Sequence, residues 1–321
     1  MKIAYLLHSD REYIEIVESI NQLVRQGDHV FIMINDNDLR AKIHFVYAED
    51  SRVHISETQE FAQEGDLSLA RGTIIQMKEA IESEIGFDYY INLSDGMIPV
   101  KPRSEIVAFL EENSGNDFYY VDRDEHQDPK IKLDAAKYYT FTNLLSFPKS
   151  KFVRSFTKGN ANLFNLLHIR RTIHDKVFIG SPWFMISNES AQLLGKHFDY
   201  VSTAFKLSWY PEEMYIPMMM EVYVYPTKDK ATHINKDYRI VGPTGSWIAS
   251  QSARNIVDEA LIKDNEGFFA GKITTDPETL YLYETYFDKY NEGFELSKEV
   301  IEKANRMVDP ELFVRKDRPR N

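Results

Sequence analysis

The 321-residue chain contains no cysteine. Disulfide scaffolds, thiolate metal sites and cysteine nucleophiles are therefore excluded, and a cytoplasmic protein, at most peripheral at the inner membrane face, is expected. Long hydrophobic runs are also missing. Apolar residues make up 43% of the chain, yet no run approaches the ~20 residues of a membrane span. The opening Met1-Lys2-Ile3-Ala4-Tyr5-Leu6-Leu7 is cut short by His8-Ser9-Asp10-Arg11-Glu12, and no small-residue cleavage site follows. It reads as a buried first strand rather than a signal segment.

Positive charge is in deficit, with 38 Lys and Arg against 50 Asp and Glu and a net charge of −12. Nucleic acid is excluded as a general partner, because neutralising phosphates needs clustered cations. A few fixed cations still suffice for an anionic small ligand. The basic tail Arg315-Lys316-Asp317-Arg318-Pro319-Arg320 reads either as a solvated terminus or as a contact with anionic lipid. No Walker loop is present, and no Gly-x-Gly-x-x-Gly follows the first strand, which disfavours NTPases and nicotinamide enzymes. The absence of Gly-x-Ser-x-Gly removes the usual hydrolase elbow. His8, His29, His168, His174 and His233 lack metal-ligand spacing, so zinc is unsupported.

What is present is an α/β pattern long enough for a large core. Lys2 to His8 and His29 to Ile34 read as strands flanking a helix over Glu12 to Arg25, with Ile14, Val17, Ile20 and Val24 on one face. Asp66 and Ser68 are expected to cap a helix through Glu84, with Leu69, Ile74, Met77 and Ile81 as its apolar stripe. Phe87 to Leu93 is a third strand ending in the turn Ser94-Asp95-Gly96. Pro102 opens a helix over Glu105 to Leu110, and Phe118 to Val121 is a further strand. Ligands of open α/β sheets sit outside the carboxyl ends of strands. His8-Ser9-Asp10, Asn35-Asp36-Asn37-Asp38 and Ser94-Asp95-Gly96 all fall there.

Two blocks carry the chemistry. Gly180-Ser181-Pro182-Trp183-Phe184-Met185-Ile186-Ser187 reads as a glycine turn entering an apolar strand. Tyr210-Pro211-Glu212-Glu213 sets adjacent carboxylates at the mouth of a helix. A carboxylate held there beside apolar surface can act as general base on a sugar hydroxyl, although acidic residues also favour a helix N-terminus without any catalytic role. One of the pair is expected to be structural and the other to face a cleft. Lys272, within Gly267-Phe268-Phe269-Ala270-Gly271-Lys272-Ile273, is either a snorkelling side chain or a fixed cation for a phosphate. Arg239, in Asn235-Lys236-Asp237-Tyr238-Arg239-Ile240, carries the same ambiguity. Asp36-Asn37-Asp38 and Asp122-Arg123-Asp124 stand where a divalent cation would bridge to pyrophosphate, or where turn chemistry would place Asp-x-Asp in any case.

In this order the blocks resemble the core-2/I-branching β-1,6-N-acetylglucosaminyltransferase family, which includes the peptide-O-xylosyltransferases. The similarity runs through Ile3-Ala4-Tyr5-Leu6-Leu7-His8, Gly65-Asp66-Leu67-Ser68, Tyr90-Ile91-Asn92-Leu93-Ser94-Asp95-Gly96, Gly180-Ser181-Pro182-Trp183-Phe184, Tyr210-Pro211-Glu212-Glu213 and Phe268-Phe269-Ala270-Gly271-Lys272. The resemblance implies a GT-A type glycosyltransferase fold: a Rossmann-like nucleotide-binding half with a mixed sheet, joined to an acceptor half. On that basis the chain is one catalytic domain, with residues 1–125 as the nucleotide-sugar half, 126–275 as the acceptor half and 276–321 as C-terminal helices and basic tail.

The implied reaction is an inverting, metal-independent transfer from a UDP-sugar, expected to be UDP-N-acetylglucosamine, to a glycan or glycolipid acceptor. The family's Pro-Asp-Glu falls on Pro211-Glu212-Glu213, making Glu213 the base. Its Phe-Ala-x-Lys falls on Phe269-Ala270-Gly271-Lys272, making Lys272 the diphosphate cation. Leu7, His8 and Asn35 or Asp36 border the uridine, Ser94 and Asp95 lie near the transferred sugar, and Arg239, or else Arg254, is the second diphosphate cation. Trp183, Lys137 and Tyr139 are the acceptor candidates. The family's Ser-Gly-x-Asp turn is here Ser94-Asp95-Gly96-Met97, so the acidic residue is displaced by two positions. The cysteines of the animal enzymes are missing, their membrane anchor is not expected here, and the resemblance is to soluble bacterial members associated with surface-polysaccharide assembly. No cofactor is implied. The alternatives are a metal-dependent enzyme of the same fold using an Asp-x-Asp, and a non-catalytic carbohydrate-binding or assembly protein.

Overall fold

The computed structural model describes residues 1–9, 13–24, 27–58, 60, 65, 67–94, 97–140, 151–228, 232–240 and 266–271. Its centre is β1 (Ile3–Ser9), a fully buried strand between the parallel strands β2 (His29–Ile34) and β4 (Tyr89–Ser94). Burial on both faces explains why β1 reads as a continuous apolar run. Ala4 and Leu6 pack on one side of the sheet, while Ile3, Tyr5 and Leu7 pack on the other.

Seven strands form the main sheet in the order β3-β2-β1-β4-β7-β6-β8, adding β3 (Val53–Ile55), β6 (Asp117–Asp124), β7 (Phe178–Ser187) and β8 (His233–Asn235). The pairings β4–β7 and β6–β7 are antiparallel, so the sheet is mixed. The α/β class and Rossmann-like half with a mixed sheet, expected from the resemblance, are present. On one face lie α3 (Leu67–Glu82), α7 (Asn188–Gly195) and α9 (Glu212–Met219). On the other lie α1 (Tyr13–Leu23), α4 (Arg103–Glu112) and a second sheet, β5 (Met97–Pro99), β10 (Phe269–Gly271) and β9 (Arg239–Ile240). Two short helices, α5 (Lys130–Ala135) and α8 (Phe198–Ala204), and the longer α6 (Lys151–Leu166) belong to the second half, with α2 (Asn37–Val46) in the first.

Two buried clamps fix the register. Asp28 is fully buried, accepts the Ile3 amide at 3.2 Å and is gripped by Arg103 Nε at 2.6 Å. Lys228 Nζ lies 3.0 Å from Asp117 Oδ2 and also donates to Ser187 and Ser190, tying the start of β6 to the end of β7.

Four local expectations are corrected. Ser68 lies inside α3 rather than capping it. The buried stripe of that helix is Leu67, Ala70, Ile74, Met77 and Ala80, with Ile81 half-buried against the same core and Leu69 only half-buried. Asp122-Arg123-Asp124 is part of β6 rather than a turn after it, because pairing with β7 prolongs the strand to Asp124. Gly180 is likewise inside β7. A Cβ there would stand 1.9 Å from the Tyr120 carbonyl oxygen, so the glycine permits a close strand approach at a register shift rather than a turn.

Candidate active site

Parallel pairing brings the carboxyl ends of three strands together. His8 is opposite Met33 on β2 and Ser94 on β4, and the Asn35 amide donates to Ser9. Leu7 is buried in the second layer. His8 continues the Ala4–Leu6 face and packs under α3, where Gly72 makes room for it: a Cβ there would come 2.1 Å from His8 Cε1. Enclosure lowers the imidazole pKa to about 4, so the ring is neutral at physiological pH. Neither ring nitrogen has a hydrogen-bond partner among the described residues.

Asp36 is exposed and its carboxylate caps α2 through the Leu39 amide at 2.8 Å. Asp122 pairs with Arg123, and Asp124 accepts the amides of His126 and Gln127. Asp36 is therefore a helix cap, Asp122 an ion-pair partner and Asp124 a turn acceptor.

The second sheet meets the same edge. Gly271 pairs with Met97 and Phe269 with Arg239. The residue after Gly271 is Lys272, and the two before Met97 are Asp95 and Gly96; all three lie outside the described residues, as does Arg254. Arg239 is buried, paired with Asp237 at 2.9 Å, and donates to Ser181 Oγ at 3.2 Å. Its guanidinium carbon stands 4.6 Å from the centre of the Trp183 ring, which is itself buried. Desolvation lowers the Arg239 pKa, and the charge of Asp237 opposes that shift. Asn92 on β4 donates to the Pro182 carbonyl at 3.0 Å, holding this cluster beside the end of β4. The sequence marks Ser181 only as a member of the Gly180–Ser187 block and Asp237 only as a neighbour of Arg239.

The glutamate pair is divided by α9. Glu212 is fully buried and accepts a hydrogen bond from the Gly65 amide, whereas Glu213 is half-exposed in the first turn. The approach is constrained: Tyr210 adopts φ 51° directly before Pro211, a left-handed conformation costing on the order of 1–3 kcal/mol. Its amide lies 3.4 Å from the Gly65 carbonyl, so Gly65 is held from both sides. Pro217 lies inside α9 and cannot donate to the Glu213 carbonyl one turn earlier. The apolar face of α9 packs into the cluster containing Phe184 and Ile186 of β7.

Lys137 is paired with Asp134 at 2.7 Å. Tyr139 is buried, its ring 5.4 Å from that of Trp209, and burial raises its hydroxyl pKa to about 12. Both belong to the second half, and the Tyr139 amide donates to the Leu207 carbonyl at 2.9 Å, in the loop that leads into α9.

A family model described as Core-2/I-Branching enzyme matches residues 3–264. No curated protein matches the chain significantly. Among solved structures, a glycosyltransferase involved in the glycosylation of the major capsid of PBCV-1 is 10% identical, with a TM-score of 0.38 over 89% of this chain and 98% of that chain. The 4-diphosphocytidyl-2C-methyl-D-erythritolsynthase from Anaerococcus prevotii DSM 20548 is also 10% identical, with a TM-score of 0.32 over 72% of this chain and 86% of that one. Neither likeness is close enough to say what this chain acts on. No described helix is long and apolar enough to cross a membrane.

Proposed function

Because the chain belongs to the Core-2/I-Branching enzyme family and is a glycosyltransferase, we propose that it transfers a sugar, N-acetylglucosamine, from its UDP-sugar to a hydroxyl of a glycan or glycolipid, inverting the anomeric centre without a metal. It would then be a hexosyltransferase of surface-polysaccharide synthesis, acting at the cytoplasmic side. The nucleotide-sugar half would be residues 1–125 and the acceptor half 126–275.

The observation that carries this reading is the division of labour at Pro211-Glu212-Glu213. Glu212 is buried against Gly65, which leaves Glu213 half-exposed in the first turn of α9. In the proposed step Glu213 takes the acceptor hydroxyl proton as that oxygen forms a bond to C1 of the sugar. The bond from C1 to the UDP oxygen breaks, and UDP departs with the electron pair. Lys272 stabilises the charge that develops on the diphosphate. Arg239, held by Asp237 and Ser181, would be the second diphosphate cation, with Arg254 as the alternative. Leu7, His8 and Asn35 would border the uridine, and Ser94 and Asp95 the transferred sugar.

The metal-dependent alternative is weaker, because Asp36, Asp122 and Asp124 already serve as cap, ion-pair and turn groups. A thermal-shift screen of nucleotide sugars with and without Mn²⁺ tests the donor and metal assignments, since selective binding stabilises the folded state. UDP-N-acetylglucosamine should raise the midpoint equally under both conditions, and turnover should survive EDTA. Loss of turnover in EDTA, restored by Mn²⁺, would establish the metal-dependent enzyme. UDP binding without turnover over a broad acceptor panel would establish the non-catalytic alternative.

A further inference from the structure

Between Ala135 and His174 the sequence holds seven Lys and Arg residues and no Asp or Glu, in a chain whose net charge is −12. Lys137 is paired with Asp134, and Arg171 donates to Ala135, Ala204 and Ser208, whereas Lys158 and Arg170 are exposed. The centre of this stretch is α6. Thr157 and Ala161 of α6 are buried, so that side faces the protein. Phe156, Leu163, Leu166 and Leu167 are exposed, Leu166 by 74%, and Ile169 follows just beyond the helix. Phe156, Leu163 and Leu167 are spaced i, i+7 and i+11, which puts them on one helical face. Of the seven large apolar side chains exposed among the described residues, five fall within 156–169. Isolated exposed leucines need no explanation, but a contiguous apolar stripe with exposed Lys158 and Arg170 alongside does.

We propose that α6 and the turn after it dock the chain on the surface of an anionic lipid bilayer. Charge decides the partner. The stripe lies in the one long segment from which carboxylates are missing, and a cationic helix with an apolar face settles in the headgroup layer by burying that face while its Lys and Arg meet lipid phosphates. The docked helix would lie beside the approach to α9. Lys158 Nζ stands 5.7 Å from the centre of the Trp209 ring, and that ring meets Tyr210 edge-on at 5.2 Å. A lipid-borne acceptor would thus be offered near Glu213; that consequence rests on the transferase reading, whereas docking itself does not.

The test is flotation of the full chain with vesicles of phosphatidylcholine alone or of equimolar phosphatidylcholine and phosphatidylglycerol. Binding to the anionic vesicles only is expected, and should be lost at about 1 M salt, where the screening length is about 3 Å. The L163Q/L166Q/L167Q variant should bind about tenfold or more weakly, with unchanged thermal midpoint and unchanged turnover of a soluble acceptor. R170E should weaken binding without touching the apolar stripe. Absence of wild-type binding to anionic vesicles would overturn the proposal, as would undiminished binding by both variants. So would a wild-type dimer that the triple variant dissolves, which would make the stripe a contact between copies. A triple variant of much lower thermal midpoint, with no vesicle binding by the wild type, would mean that the chain covers the stripe itself.

Discussion

The Glu212 carboxylate accepts the amide hydrogen of Gly65, 147 residues away in sequence. This bond joins the loop entering α3 to the loop entering α9, and it makes two adjacent glutamates unequal. Removing Glu212 leaves a buried amide without its acceptor, which costs about 1–3 kcal/mol. Glu212→Ala should therefore lower the unfolding midpoint, while Glu213→Ala should leave it nearly unchanged. Thermal unfolding of the two variants side by side checks this; equal midpoints would refute the division.

Gly180→Ala should be destabilising although it adds only one methyl group. The new Cβ would stand 1.9 Å from the backbone oxygen of Tyr120, and backbone atoms of a paired strand cannot turn aside as a flexible side chain can. A loss of about 3 kcal/mol is expected. Chemical denaturation measures it, and a wild-type midpoint would contradict the close approach of β6 and β7.

The buried pair Lys228–Asp117 gives a different signature. Both side chains are almost wholly buried, at 1% and 0% exposure, so removing the cation strands a carboxylate away from water. Lys228→Met should cost about 3–5 kcal/mol. The double variant Lys228→Met/Asp117→Asn should recover part of that loss, because no uncompensated charge then remains. Denaturation of the wild type, Lys228→Met, Asp117→Asn and the double variant closes the cycle.

His8 predicts a pH dependence. Its folded-state pKa is about 4 against an ordinary 6.5, so below 6.5 the unfolded chain takes up a proton that the folded chain refuses. Stability is therefore full above pH 6.5 and declines as the pH falls to about 4, by about 3 kcal/mol. His29 and His54 are also depressed by burial and act in the same direction. The contribution of His8 is accordingly read as a difference between wild type and His8→Leu. The variant should lose less stability over that range; parallel curves would contradict the assignment.

The sequence revealed those features whose signal is local. β1, α1 and β2 were legible because continuous apolar runs and a 3.6-residue period need no partner to be recognised. The family blocks led to Pro211-Glu212-Glu213 for a similar reason. What stayed hidden depends on residues distant in the chain. The family motif singles out Glu213, but nothing near Glu212 shows what holds it, since the amide that claims it belongs to Gly65. Gly180 looked like punctuation because the constraint on it comes from Tyr120 on another strand. The Ser181–Asp237–Arg239 cluster joins β7 to the entry of β9 and has no pattern of its own. Asp122 and Asp124 look as if they follow the strand because apolar content stops at Val121, whereas pairing carries β6 three residues further.

In the proposed reaction Glu213 removes the acceptor proton, and Glu213→Gln isolates that step because the amide keeps the shape and loses the basicity. Steady-state kinetics and calorimetric titration with UDP, run on the same preparation, should show kcat reduced by about 10²–10⁴-fold with UDP affinity unchanged. A variant that keeps most of its kcat would place the base on another residue.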